Sequence, residues 1–361
     1  MRMLSVALAG KVTLQDVAAK AGVSISTASR SLTGAVSISK DTQARVRSVA
    51  EALGYRYNPL LGEVMRSTRR GTPNHHLGTL AYITPYDDVK EWRATPTLCR
   101  HWSAARDQAS LFGFGVSEFA LTSHGMTARR LGEILKARGI AGILLAAFPK
   151  EPFELVLPWE HFATVPVGHM MQTPQLDCVV SDHTQAVLLA GRVLAARGYR
   201  RIGLAIESYQ NSITNHGWAN GYAALPVENA DVAAIPPFLP AKITARAFVE
   251  WVKAQRVDCV LTLSTFRNEP NRMAEWLAEA GWECPRDIGL VSLDVTSATS
   301  SWAGIDQNSD EIGKAAVDLV ISKLRAGERG IPKVRRSLLV HCQWREGQTV
   351  RALDAEGAAC V

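Results

Sequence analysis

Apolar residues first recur at helical spacing over Leu14, Val17, Ala18 and Ala21, which predicts a short amphipathic helix. Gly22 follows, where a left-handed turn needs a residue without a β-carbon. Val23 is apolar and plugs the corner, and Ser24 is a suitable N-cap for a second helix with Ala28 and Leu32 facing inward. The outward residues of that helix are Ile25, Ser26, Thr27, Ser29 and Arg30. They are short, hydrogen-bonding or cationic, which suits a helix lying in a major groove. The stretch therefore reads as a helix-turn-helix, with an ordinary helical hairpin as the alternative. Thr33-Gly34 breaks the chain, and a third helix is expected over Lys40 to Leu53, with Val46, Val49, Ala50 and Leu53 inside.

From Leu77 the pattern changes to short apolar runs alternating with amphipathic ones. Strands are expected at Leu77–Ile83, Gly115–Leu121, Ile140–Phe148, Thr164–Gly168, Cys178–Ser181, Ile202–Ile206, Cys259–Leu263 and Ile288–Leu293. Helices are expected at Thr127–Arg138, Ala186–Arg197, Asn271–Gly281 and Ser309–Arg325 among others. Such alternation predicts α/β architecture with parallel sheets. The stretch is too long for one sheet, so two doubly wound subdomains facing a cleft are expected.

Charge separates these two regions. Residues 1–71 carry eleven Lys and Arg against four acidic residues, a balance of +7, while the whole chain of 361 residues carries +6. A basic head on a near-neutral body places polyanion binding in the head. The six cysteines show no paired CxxC spacing and read as buried or free thiols in a reducing cytosol. No apolar run reaches eighteen residues, so no transmembrane helix is expected. The opening MRMLSVALAGK is brief for a signal peptide and abuts the helix-turn-helix. It reads as a disordered tail or a mis-assigned start.

The stretch TLQDVAAKAGVSISTASRSL, followed by GYRYNP, resembles the start of the lactose-repressor (LacI/GalR) family of bacterial transcription regulators. The family pattern is T-[IL]-x-D-V-A-x-x-A-G-V-S-x-x-T-V-S-R-x-L-N-G, from which this chain departs at Ala28 and Thr33. Landmarks continue in GYRRIGLAI, PRDIGLVSLD and AGIDQNSDEIGKAAVDLV. The resemblance implies a three-helix helix-turn-helix head and a body of two subdomains of periplasmic-binding-protein type. The expected divisions are a DNA-binding domain at 11–57, a hinge or linker at 58–76, and an effector-binding and dimerisation domain at 77–361. Within the latter, one subdomain takes about 77–180 and 307–332, the other about 181–306 and 333–361. The chain would cross between them near Ser181, Gln307 and Pro332.

The same resemblance assigns roles. Ile25, Ser26 and Arg30 are expected at base edges, with Ser24, Thr27 and Ser29 beside them. Thr13, Ser39, Thr42 and Asn58 stand where the family holds phosphates, contacts that position without reading sequence. In the linker NPLLGEVMRSTRRG the family's alanine-rich hinge pattern is missing. Val64 falls near the leucine that the family drives into the minor groove, with Leu61 and Met65 nearby. A solvated basic linker is the alternative.

For the body, Asp294 ends a predicted strand at the edge where open sheets bind ligands, and matches the family's effector-binding aspartate. Its other reading is a helix N-cap. The family's effector arginine is replaced by Trp218 in NHGWANGYAAL. Trp218 reads either as a ring face against a ligand or as core. Asn215, His216, Phe238, Tyr86, Thr84 and Asp182 are further cleft candidates. An effector that is neutral and hydroxylated, with an apolar ring face, follows from keeping the aspartate and losing the arginine.

No GxSxG, GxxxxGK[ST] or HExxH motif is present, so no enzyme chemistry, cofactor or metal site is expected. His75-His76 reads as linker, since adjacent histidines do not share a helix face. The expectation is a cytoplasmic homodimeric regulator, most simply a repressor, that binds a near-palindromic operator in double-stranded DNA under control of a small molecule. The alternative is a solute-binding protein of a transporter, which the body alone would permit.

Overall fold

The structure is a computed structural model, and it describes residues 12–32, 38–53, 55, 77–84, 93, 95–121, 126–146, 153–168, 171–263, 272–296 and 300–353. The expected hinge at 58–76 lies outside the described residues, as do Asn58, Val64, Tyr86 and His75-His76. The chain forms two compact units, one holding the N-terminal helices and the other holding residues 79–321 and 329–361.

The first unit is built from α1 (Leu14–Ala21), α2 (Ile25–Leu32) and α3 (Lys40–Ala52). A hydroxyl caps each helix. Thr13 accepts from the Asp16 N–H while the Asp16 carboxylate accepts from the Thr13 N–H, a reciprocal capping box. Ser24 accepts from Thr27 N at 3.1 Å, and Ser39 from Thr42 N at 3.4 Å. Gly22 ends α1 in the left-handed region, with φ 64°. Val17, Ala18, Ala21, Ala28, Val46 and Ala50 form the core, flanked by Leu14, Val23, Leu32, Val49 and Leu53. Alanine at the crossings lets short helices approach closely without a large side chain to house. Ser31, not singled out by the periodicity, is also buried, its hydroxyl donated to Thr27 O one turn back.

In the second unit every expected strand is present. One sheet runs in the order β2 (Phe114–Ala120), β1 (Gly78–Thr84), β3 (Gly142–Leu145), β5 (Ala163–Pro166). The pairs β1 with β3 and β3 with β5 are parallel, Leu80 lying opposite Gly142 and Gly142 opposite Ala163. Between these strands fall α4 (Pro96–Leu111), which begins with proline in its first turn, and α5 (Ala128–Ala137). The short β4 (Phe153–Glu154) and β6 (Met171–Thr173) pair with each other. Burial of β3 and β5 is complete because both faces of a parallel sheet are covered.

β7 (Cys178–Ser181) follows, bridged to the end of β5 through Val167 and Val179. The chain then runs through α6 (His183–Ala196), β8 (Ile202–Ala205), α7 (Ser208–Ser212), α8 (Gly217–Glu228), α9 (Ala245–Gln255), β9 (Cys259–Thr262), α10 (Arg272–Glu279), β10 (Gly289–Ser292) and β11 (Ala303–Asp306). Here the sheet order is β13, β11, β10, β9, β8, with β13 (Gln343–Arg345) antiparallel to β11 and the other pairs parallel. A core of aliphatic side chains with Trp218, Phe248 and Tyr199 packs around it.

The last helix, α11 (Ser309–Ala326), precedes β12 (Ser337–Val340), which pairs parallel with β7. The final passage between the two sheets therefore comes after Val340, later than the position near Pro332 read from the sequence. Backbone pairing to β7 holds the segment there even though Leu338 and Leu339 stay exposed.

Candidate functional site

On the first unit, α2 separates its two faces cleanly. Ala28 and Ser31 are buried, while Ile25 is 46% exposed and Ser26 and Arg30 are exposed. Arg30 Nη2 donates to Ser26 Oγ at 3.3 Å, one turn back on the same face. An exposed isoleucine beside a hydroxyl and a guanidinium has no role in the helical core, and matches a surface that meets base edges and a thymine methyl. Thr27 and Ser29 are half-buried, so they stand at the border of that face. Thr13, Ser24 and Ser39 each sit at a helix N-terminus, where unpaired backbone N–H groups favour an anion. The Thr42 hydroxyl lies 2.9 Å from that of Ser39, so the two share one edge of α3.

On the second unit, a cavity of 140 Å³ lies between residues of the two sheets' layers. Its polar border is Thr97 and His101 from α4, Ser181 at the end of β7, His183, Thr214 and Gln307. Thr97 Oγ1 donates to Asp294 Oδ2 at 2.8 Å. Burial pushes the Asp294 carboxyl up to about 6, and the nearby Asp306 charge adds to this; the Thr97 hydrogen bond and Arg100 oppose it. Ser181 donates to Gln307 Oε1 at 3.0 Å, and Gln307 Nε2 donates to Leu293 O at 3.0 Å. The two chain passages expected at Ser181 and Gln307 are thus tied to each other.

Beside the cavity, Arg100 reaches Asp306 at 3.1 Å and Asp310 at 2.8 Å. Asp306 also holds Arg345 at 2.9 Å. Burial works to raise the Asp306 pKa, but the Asn308 N–H, Arg345 and Arg100 together hold it below the ordinary carboxylate value. His101 is 6% exposed, and neither ring nitrogen has a hydrogen-bond partner among the described residues. Burial, with the Arg100 charge, lowers its pKa to about 4, against a smaller opposing pull from Asp310.

The structure separates the other cleft candidates. Trp218 is 1% exposed and sits in the core, its ring 4.3 Å from that of His183. The core alternative therefore holds: Trp218, Gly221, Tyr222 and Leu225 form the buried face of α8 at helical spacing. Phe238 stacks on Trp251 at 5.4 Å, and its backbone bridges Ala205. Asp182 caps α6, accepting from Gln185 N at 3.0 Å. Asn215 and His216 are exposed in a left-handed turn, with φ 52° and 60°, that Asn211 braces from within. Asp294 accepts from the Thr97 hydroxyl, which borders the cavity.

Thr97, Arg100 and His101 escaped the sequence reading. The signal available was Pro96 at a helix start, with Thr97 and His101 one turn apart on the apolar stripe of α4. Among the described residues, no group of histidine, cysteine and carboxylate side chains is arranged to hold a metal, and no helix is long and apolar enough to cross a membrane.

Comparisons with known proteins agree with both units. Residues 13–58 match the pattern described as "Bacterial regulatory proteins, lacI family". Residues 84–230 match "Periplasmic binding proteins and sugar binding domain of LacI family", and residues 192–350 match "Periplasmic binding protein-like domain". The HTH-type transcriptional regulator MalR of Streptococcus pneumoniae is 21% identical over 340 residues, covering 91% of this chain and 98% of MalR. A solved complex of the transcriptional regulator CelR with cellobiose superposes with a TM-score of 0.55 at 19% identity, covering 94% of this chain and 99% of that one. The lac repressor dimer bound to operator and the anti-inducer ONPF gives 0.53 at 18% identity, with the same coverage of 94% and 99%. With a helix-turn-helix whose second helix exposes Ile25, Ser26 and Arg30 and a two-sheet body matched along most of its length, the chain belongs to the lacI family of bacterial regulatory proteins and is a DNA-binding transcription regulator.

Proposed function

We propose that this regulator is a cytoplasmic homodimeric repressor whose affinity for a near-palindromic operator is set by a neutral, hydroxylated small molecule bound in the body. The observation that carries the DNA reading is α2, whose Ile25, Ser26 and Arg30 face solvent while Ala28 and Ser31 hold the core. In this reading Ile25, Ser26 and Arg30 meet base edges, with Ser24, Thr27 and Ser29 at the margin. Thr13, Ser39 and Thr42 meet phosphates, and a two-fold dimer presents two such helices to two half-sites. Asn58 and Val64 belong to a hinge at 58–76 that joins a head at 11–57 to the effector-binding and dimerisation domain at 77–361. The lac repressor structure, a dimer on its operator with a bound anti-inducer, supports this arrangement.

The effector reading rests on the cavity. Its polar border of hydroxyls, an amide and two imidazoles carries no carboxylate, lysine or arginine among the described residues, and Asp294 lies behind Thr97. Neutral hydroxyls suit such a border. CelR, solved with cellobiose, is a related fold that takes a saccharide. We read the site as a binding cleft for a small molecule, in keeping with relatives named as transcriptional regulators.

The test is selection of DNA fragments from a random pool by the purified protein, followed by gel shifts with and without saccharides. The expected result is a palindromic site, a changed base preference on replacing Ser26, and uniform weakening on replacing Thr42. Uniform weakening by Ser26 variants with no change in preference would refute the groove assignment.

A further inference from the structure

We infer that the free edge of β12 is a docking site for a partner protein, which adds an extended segment of alternating apolar and acidic residues there as a further strand. The first observation is where the exposed apolar residues fall. Ten large apolar side chains are exposed among the described residues, and four of them, Ile331, Val334, Leu338 and Leu339, lie between 331 and 339. Val334 is 77% exposed and Leu339 49%. Single exposed apolar residues need no explanation, but a run of them marks a contact surface.

The backbone defines the kind of contact. Arg336 O accepts from Cys178 N and Val340 O accepts from Asp182 N, so these two residues face β7. Alternation turns the N–H and C=O of Ser337 and Leu339 to the other edge. No strand lies along that edge among the described residues. Edge strands of natural proteins are commonly guarded by a charge or a proline. Here Pro332, Lys333, Arg335 and Arg336 all precede β12, and Ser337–Val340 itself carries neither guard. Leu338 and Leu339 are adjacent and point to opposite faces, and both are exposed, so the strand is open on two faces as well as along its edge.

Charge selects the occupant. Residues 328–340 hold four cations, Arg329, Lys333, Arg335 and Arg336, against one acid, Glu328. Of the acids close by, Asp177 is bound to Arg336 and Glu328 to Lys323. A positive surplus beside bare leucines suits a strand whose acids meet the cations while its apolar residues lie along Leu338 and Leu339. A second copy of this chain fits poorly, because a two-fold contact through this patch sets Lys333 and Arg336 against their own counterparts. Nucleic acid also fits poorly, since leucine and valine offer a phosphate no hydrogen bond.

The test is hydrogen–deuterium exchange of the full chain, read by mass spectrometry over residues 331–341. Three probes are added in turn: a synthetic peptide alternating glutamate with valine, one alternating lysine with valine, and a random DNA duplex. Wild type is compared with Leu339→Pro, Leu339→Glu and Lys333→Glu. Leu339 points its N–H outward, so proline there removes a donor to the added strand and none to β7. The expected result is that the glutamate peptide slows exchange by about tenfold, while the lysine peptide and the duplex leave it unchanged. Its affinity, from the fluorescence anisotropy of labelled peptide, should fall about tenfold or more in both Leu339 variants and about threefold in Lys333→Glu. Leu339→Glu changes an exposed side chain alone, so it carries the test where the proline variant does not fold. A glutamate peptide that leaves exchange unchanged overturns the docking site. Equal slowing by the lysine peptide or the duplex overturns the acidic occupant. Slowing that grows with protein concentration in the absence of peptide assigns the edge to a second copy and overturns the proposal. Equal binding by wild type and Leu339→Glu places the peptide elsewhere on the protein and overturns it as well.

Discussion

Thr97 and Asp294, 197 positions apart in the chain, are joined by a 2.8 Å hydrogen bond from the threonine hydroxyl to a buried carboxylate. The bond links α4, which packs beside one sheet, to the loop after β10 in the other. Thr97 and His101 border the cavity, and Asp294 is not among its lining residues.

Asp294 makes stability depend on pH. Its folded pKa of about 6 exceeds the unfolded value near 3.9. The folded state therefore carries the burial penalty of an ionised carboxylate above pH 6, and loses it as pH falls through 6 toward 4. Asp294→Asn removes that penalty, and its Oδ1 still accepts from Thr97. The variant is expected to gain about 2 kcal/mol at pH 7 and nothing at pH 4. His101, lowered to about 4, works in the opposite sense below its unfolded pKa. The quantity to compare is therefore the difference between wild type and variant in urea midpoint at the two pH values. Equal differences at both would refute the prediction.

Arg100 is expected to matter more than the exposed ion pairs. It shares the buried Asp306 with Arg345 and also reaches Asp310. Arg100→Met leaves Asp306 with one cation instead of two, at a cost of about 1–3 kcal/mol. Arg246→Met breaks an i,i+4 pair with Glu250 in which both partners are exposed, and should leave the unfolding midpoint unchanged. Denaturant titration of both variants checks the order, and equal effects would contradict it.

Gly221 is expected to tolerate no side chain. A β-carbon there would stand 2.6 Å from Thr184 O and 3.0 Å from Val187 Cβ, on the backbone and stem of α6. Neither can move without parting the two helices and unseating Trp218. Gly221→Ala should cost about 1–3 kcal/mol, measured by thermal unfolding. A midpoint within a degree of wild type would show that α6 and α8 have slack.

In the helical head the constraint at Gly22 is conformational. Nothing lies within 4 Å of a β-carbon placed there, yet φ is +64°. Gly22→Ala is expected to lose about 1 kcal/mol, and Gly22→Asn less, because asparagine visits the left-handed region more readily. Loss of operator affinity in gel shifts, larger for alanine than for asparagine, is the accompanying readout. Equal behaviour of the two variants would mean that the turn relaxes.

Local rules sufficed for the head. Capping hydroxyls, Gly22 and a few alanines act within one or two turns, so Thr13, Ser24, Ser39 and Ala28 were legible without tertiary information. The alternation of apolar strands with amphipathic helices likewise announced two parallel sheets, because covering both faces of a sheet leaves its own periodicity. The cavity was different. Trp218 is a ring that fits a ligand or a core equally well in sequence, and only the packing of α8 on α6 through Gly221 turned it inward. Asp182 and Asp294 are both acidic residues just past a strand, yet one caps α6 and the other accepts from Thr97. His101 carried no motif at all. It became a candidate because distant segments bury it beside a cavity and, among the described residues, leave its nitrogens without a partner; burial and hydrogen-bond partnership are properties of the assembled fold that no local pattern encodes.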